Sequence, residues 1–310
     1  MKYTPDFTRF DSLFELVTYF NSKEKCEKFI IANRWGNDII CPYCGHHHCY
    51  TRKDGRLKCR NCNSNFSCKV GTIFDNTKIS LVKWFMAMYL ISCHKKGISS
   101  VQLAVDLNVS QKTAWHILHK IRTLFQQNDA IALEGEVECD EMYLGGRESN
   151  KHQDKHTDGT QGRSTKTKTP IFGMAEREGE ARVLVVPDTK KSTLRPIIEQ
   201  FIAEGSHIFT DEHQGYSGLG DKYIHSVIKH SIKEYSKDGV TTNTIEGFWG
   251  HFKRVVFGTY HFVSTKYLQR YIDESVYRWN TREYSEGTRF ATMLSNAIGL
   301  CTYEQVKMVA

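Results

Sequence analysis

Proline is scarce, with five in 310 residues, and no low-complexity tract appears anywhere in the chain. These absences exclude an extended or linker-like protein and leave a folded one. Long apolar runs are missing too. The longest, "LVKWFMAMYLI", is about half the length a bilayer span needs and is interrupted by Lys83. The opening "MKYTPDFTRFDSLFELVTYF" lacks the basic start and unbroken apolar middle of a secretory leader, because Asp6, Asp11 and Glu15 are scattered through it. The expectation is therefore a cytoplasmic protein with no membrane partner. Ten cysteines are too many for structural disulfides in a reducing compartment, so metal ligation is the better account of any that are regularly spaced. Strong charge of one sign is also lacking. The 42 Lys and Arg against 35 Asp and Glu give +7, which permits a nucleic-acid partner without requiring one.

Four cysteines do have regular spacing. In "CPYCGHHHCYTRKDGRLKCRNC", Cys41 and Cys44 form one C-x-x-C pair and Cys59 and Cys62 a second. Two such turns facing one ion make a tetrahedral four-thiolate zinc ribbon, and four protein ligands leave no open position, so the zinc is structural. Between the pairs, Asp54-Gly55 suits a two-residue hairpin turn with positive φ. His46, His47 and His48 read as a solvated loop tip, and Cys49 and Cys68 as packing residues. Lys53, Arg56, Lys58 and Arg60 decorate the ribbon, which fits phosphate contact or a solvated face.

After an apolar helix at 81–93, "ISSVQLAVDLNVSQKTAWHILHKIRTLF" reads as a helix-turn-helix. Leu103, Ala104 and Leu107 line one face, Asn108 tolerates the left-handed turn position, and Val109 plugs the turn. Ser110 caps a second helix that turns Ala114, Ile117, Leu118 and Ile121 inward. Its outward residues Gln111, Lys112, Thr113 and His116 are types that reach phosphates and base edges. An ordinary helical hairpin is the bland alternative.

The second half has α/β character. "EGEVECDEMYLGG" alternates as a strand, with Glu138 and Asp140 on one face and Cys139 and Glu141 on the other. "IFGMAEREGEARVLVVPD" follows as two antiparallel strands turning at Glu178-Gly179. "TLRPIIEQFIAEG" has helical periodicity, and "SHIFTDEHQGYSGL" is a short strand ending at Asp211. Thr242 or Asn243 caps a helix on which Glu246, Trp249, Gly250 and Lys253 share a face. Three carboxylates from separate segments suit Mg²⁺, a hard cation that takes oxygen ligands. Further on, Leu268, Ile272, Val276 and Trp279 form a helical stripe that packs against the sheet.

Taken in order, "ECDEMYLGG", "IFTDEHQGY" and "NTIEGFWGHFKR", preceded by the ribbon and by "GTIFDNTKISLVKWFMAMYLI", resemble the DDE transposases of bacterial insertion sequences, most closely the insertion-sequence 1595 family. The resemblance spans roughly residues 15 to 285 and implies a ribonuclease H-like mixed sheet with flanking helices behind the small zinc ribbon and the helix-turn-helix. It implies Asp140, Asp211 and Glu246 as a triad holding two Mg²⁺ or Mn²⁺ ions, and Lys253 and Arg254 as DNA contacts. Some relatives are described with asparagine in place of the third acid. Glu246 is taken here because its anionic oxygen binds Mg²⁺ more strongly, with Asn243 as helper or cap. Glu138 and Glu141 are read as neighbours rather than ligands. The implied partners are double-stranded DNA, both terminal inverted repeats and target, and a second copy of the chain in a dimer or larger synaptic complex.

On this reading the chain divides into a helical segment 1–36, the ribbon 37–76, a helical DNA-binding region 77–128, a catalytic domain 129–285 containing a basic, disordered or DNA-ordered loop at 147–169 entered through Gly145 and Gly146, and a tail 286–310. Competing readings are a DNA-binding regulator without catalysis, a nuclease that does not join strands, and a zinc scaffold with no nucleic-acid role.

Overall fold

The computed structural model describes residues 10–127, 132–145, 152, 154, 156–160, 162, 164–228 and 241–297. Residues 147–151, 153, 155, 161 and 163 of the basic loop expected at 147–169, together with Gly146 and residues 298–310 of the expected tail, lie outside them. The chain forms two compact units, one from Met1–Gln126 with Glu283–Ala310 and the other from Gln127–Arg282.

The first unit is helical around a small three-stranded sheet. Helices α1 (Leu13–Tyr19) and α2 (Lys23–Trp35) are capped by Ser12 and Ser22. The ribbon strands β1 (Cys49–Thr51), β2 (Leu57–Cys59) and β3 (Asn65–Phe66) pair antiparallel in that order. Its hairpin is longer than the two-residue turn expected. Gly55 N donates to Arg52 O at 3.0 Å, Asp54 Oδ1 accepts from Arg56 N, and only Gly55 takes positive φ. Arg52 N also donates to Arg56 O, so the chain closes through a three-residue loop, 53–55, that needs a single left-handed residue.

The apolar helix expected at 81–93 is α3 (Leu81–Cys93), and α4 (Ser100–Leu107) and α5 (Gln111–Arg122) follow it. Asn108 adopts the left-handed conformation with φ +48° and donates to the carbonyls of Ala104 and Val105, which ends α4 and aims the chain into α5. The tail segment forms α9 (Glu286–Ser295), whose Phe290 packs against Phe10 and Phe85.

In the second unit, β4 (Glu136–Gly145), β5 (Lys168–Glu176), β6 (Ala181–Val185), β7 (His207–Thr210) and β8 (Ile224–Val227) form one mixed sheet in the order β6-β5-β4-β7-β8. The first three are antiparallel neighbours, and β7 and β8 run parallel to β4. This is the mixed sheet with flanking helices that the sequence implied. β5 begins inside the span assigned to the loop, since Lys168 already pairs with Gly145. A side chain at Gly145 would sit 2.5 Å from the Thr167 carbonyl, so glycine is needed at that close approach.

Helix α6 (Lys191–Phe201) covers one face through Leu194 and Ile198, which pack with Val137, Cys139, Phe172 and Ile208. Helices α7 (Asn243–Val255) and α8 (Leu268–Asn280) cover the other, where Ile245, Phe248 and Phe252 meet Met142, Ile171 and Val183. The expected α8 stripe is present: Leu268, Ile272 and Val276 are buried in this cluster and Trp279 packs against it. The outer edge of β6 is closed by side-chain amides. Gln127 bonds both N and O of Val183, Gln269 bonds Val183 O and Val185 N, and Asn280 bonds both N and O of Ala181. The amides imitate a neighbouring strand and leave that stretch of edge with little to offer another chain.

Candidate active site

The register of the sheet brings two of the expected acids together. Glu136 pairs with His207 and Glu138 with Phe209, so the same parallel register carried two residues further sets Asp140 level with Asp211, just past the end of β7. Carboxylate oxygens of Asp140, Glu141 and Asp211 all lie within 4.8 Å of one another. Burial pushes the Asp140 carboxyl up to about 6, and the charges of Asp211 and Glu246 add to the rise, while the Glu141 backbone N–H and the Trp249 indole oppose it. Carboxylates this close repel until a proton or a cation offsets their charge. An all-oxygen donor set from three half-buried residues fits a hard divalent ion.

Glu141 is the member of this cluster that sequence reasoning treated as a bystander. Its side chain is 1% exposed, with Oε1 3.7 Å from His213 Nδ1. Glu246 is outside the cluster. It is exposed in the first turn of α7, accepts a 3.1 Å hydrogen bond from the Thr242 hydroxyl, and reaches Asp140 through its charge. Trp249, one turn further along α7, connects the helix directly to the strand: its Nε1–H donates to Asp140 Oδ2 at 3.0 Å. Asn243 is exposed, as are Lys253 and Arg254 in the last turn of α7.

The cap expected on α7 is supplied from elsewhere. Neither Thr242 nor Asn243 caps it with a side chain; instead Glu138 accepts from the backbone N–H of Thr244 at 2.7 Å and of Ile245 at 3.1 Å. Glu138 is fully buried, and Arg177 Nε donates to it at 3.0 Å. Alternation in the sequence correctly puts Glu138 and Asp140 on one face, but nothing in it reveals that this face meets the start of α7.

In the first unit, the sulfurs of Cys41, Cys44, Cys59 and Cys62 also lie within 4.8 Å of one another, with Cys41–Cys62 and Cys44–Cys59 both at 3.7 Å. Four thiols converging from two knuckles make a closed tetrahedral set, so the ribbon is a structural Zn²⁺ site. His47 and His48 are exposed and His46 is half-buried, while Cys49 donates its thiol to His46 O and Cys68 is buried. On α5, Gln111 and Lys112 are exposed. Thr113 is half-buried with its hydroxyl 2.8 Å from that of Ser110. His116 is half-buried as well, and burial lowers its imidazole to about 4, so it is neutral at pH 7.

Two family models and two curated relatives match the chain. Residues 132–280 match the ISXO2-like transposase domain, and residues 21–65 match the transposase zinc-ribbon domain. A protein of Halobacterium salinarum described as an uncharacterized protein in transposable element ISH50 is 29% identical over 245 residues, covering 74% of this chain and 82% of its own length. An uncharacterized transposase-like protein of Haemophilus influenzae is 29% identical over 101 residues, which is 32% of this chain and 80% of that one. No solved structure matches the chain.

Proposed function

This chain belongs to the insertion-sequence 1595 family of transposases, and on that premise we propose that it cuts and joins DNA by metal-dependent phosphoryl transfer of the DDE type. The observation that carries the reading is the parallel β4–β7 register that sets Asp140 and Asp211 side by side. Glu246 is the third acid of the proposed site, supplied from α7, and Asn243 is its neighbour at the helix start.

Two divalent ions in such a site would activate an attacking oxygen and steady a leaving one. The chain's own residues do the rest. Asp140, midway along β4, and Asp211, just past the end of β7, provide fixed carboxylate oxygens, and the Trp249 indole holds Asp140 in one orientation. Lys253 and Arg254, two exposed cations on α7, clamp phosphates of the bound strand. In the first step water breaks a phosphodiester at the element's end and a 3′-hydroxyl leaves. In the second that hydroxyl attacks a target phosphodiester, forming one P–O bond as another breaks. No covalent protein intermediate arises.

The zinc ribbon and α5 bind DNA outside the chemistry, with Gln111, Lys112, Thr113 and His116 facing the duplex and the basic ribbon residues contacting phosphate. Joining two ends requires at least two copies of the chain. The test uses DNA flanking this reading frame, labelled at the element's ends and incubated with protein and Mg²⁺ beside Asp140→Asn. Metal-dependent nicking and joining by the wild type, with binding alone by the variant, supports the proposal. Binding without cleavage by both would make the protein a regulator, cleavage without joining a nuclease, and equal cleavage by both would remove Asp140 from the chemistry.

A further inference from the structure

We infer that Glu138 and Arg177 act together as positioning residues, locking the start of α7 to β4 and β7 and so fixing where Glu246 and Trp249 meet Asp140 and Asp211. The inference rests on the metal-dependent reading above and deepens it.

Glu138 is a carboxylate with no solvent exposure, a costly placement unless its oxygens are fully engaged. They are. Beyond the two N–H groups of α7 and the Arg177 guanidinium, its oxygens accept from the hydroxyls of Thr244 at 3.2 Å and Thr241 at 3.4 Å. A negative charge at the positive end of a helix is favourable, and here it comes from a sheet strand rather than from the helix's own leading residues. The contact therefore specifies position as well as stabilising α7. Glu138 is two residues before Asp140 on the same face of β4, and Thr244 is two residues before Glu246. One carboxylate thus sets the spacing between the strand acid and the helix acid.

Arg177 extends the lock to the third element. Its side chain also bonds Glu136 Oε2 at 2.9 Å and the Thr241 carbonyl at 3.2 Å, and its guanidinium lies 4.0 Å from the centre of the Phe209 ring, two residues before Asp211. The planar fork and stacking face are needed together, which lysine does not supply. α7 runs unbroken from Asn243 to Val255, so a shift at its start is carried to Glu246 and to the Trp249–Asp140 hydrogen bond. Residues that orient metal ligands typically change metal affinity about 10- to 100-fold when replaced.

The experiment measures Mn²⁺ binding to the zinc-loaded full chain by calorimetry, without DNA, for wild type, Glu138→Gln, Arg177→Lys and Asp140→Asn. Thermal melts and binding of end DNA are recorded alongside. Asp140→Asn is the control for the acid site. Glu138→Gln is expected to melt cooperatively and bind DNA as the wild type does, with Mn²⁺ affinity lower by about 10- to 100-fold and cleavage partly restored at higher Mn²⁺. Arg177→Lys is expected between the two. Mn²⁺ affinities of Glu138→Gln and Arg177→Lys equal to wild type, with Asp140→Asn impaired, would overturn the inference and leave the metal reading standing. Should Glu138→Gln fail to fold, Arg177→Lys decides alone. Equal binding by wild type and Asp140→Asn would overturn the metal reading itself.

Discussion

Replacing Asp273 by asparagine should stabilise the catalytic unit at neutral pH while changing little in acid. Asp273 is on α8, 4% exposed, and its Oδ1 accepts from the amides of Gln127 at 2.7 Å and Gln269 at 2.9 Å. Burial pushes its carboxyl from 3.8 up to about 6, against the opposing pull of those two amides and of Arg270. The folded protein therefore holds a proton that the unfolded chain has released anywhere between these two values. Stability falls as pH rises through that window, and the loss is complete above about 6. At about 1.4 kcal/mol for each unit, the loss is on the order of 3 kcal/mol. Asparagine keeps the accepting oxygen that orients both glutamines and carries no charge to desolvate. Urea unfolding of both proteins at several pH values between 4 and 7.5 would show the two curves close together at the acid end and diverging toward neutrality, with the variant more stable. A variant less stable than wild type at pH 7, by an amount independent of pH, would refute the reasoning and mean that the charged carboxylate is itself what holds the two amides against β6.

Gly173→Ala should impair catalysis through packing alone. Gly173 pairs with Asp140 across β4–β5, and a Cβ there would fall 2.7 Å from both Ile245 and Trp249, forcing α7 off the sheet. Such overpacking typically costs about 1–3 kcal/mol; a lowered melting temperature and lost cleavage with intact DNA binding would be the signature, and wild-type cleavage would contradict it. Removing zinc with a chelator, or replacing Cys59 by serine, should unfold the ribbon and abolish binding of end DNA while the catalytic unit keeps its own melting transition. Circular dichroism and fluorescence anisotropy on the same samples would separate the two effects, and undiminished DNA binding would place the interface elsewhere.

What could be read from the sequence was what depends on local pattern. Regular cysteine spacing gave the ribbon, period-2 alternation gave β4, and helical periodicity gave α3, α5 and α8, because each is governed by a repeat visible within a few residues. The hairpin was misjudged because Asp54-Gly55 accommodates two turn lengths and the strands decide which is used. β8 passed unnoticed: four residues with Ile224 and Val227 exposed give no run of buried side chains to detect. The cap of α7 was out of reach in principle, since Glu138 and Thr244 are more than a hundred positions apart and only the folded sheet makes them neighbours.

The same distinction explains why the acids divide as they do. Asp140 stands on β4 and Asp211 one residue past the end of the parallel strand β7, so their convergence follows from the register of the two strands. Glu246 stands on a helix packed over that sheet, and no ladder joins it to either strand. Its place depends on the packing of Ile245, Phe248 and Phe252 against the sheet, on the contacts of Glu138 at the start of α7 and on one indole hydrogen bond. On the proposed reading, a site assembled this way would hold two acids by register and leave the third, Glu246, to follow α7. Lys253 and Arg254 at the far end of the same helix would be such a handle, because phosphates pulling on them act along the element that carries Glu246. DNA engagement and completion of the acid set would then be coupled through one helix, and a neutral replacement of both cations should weaken the response of Mn²⁺ affinity to added DNA more than it weakens Mn²⁺ binding by the free protein.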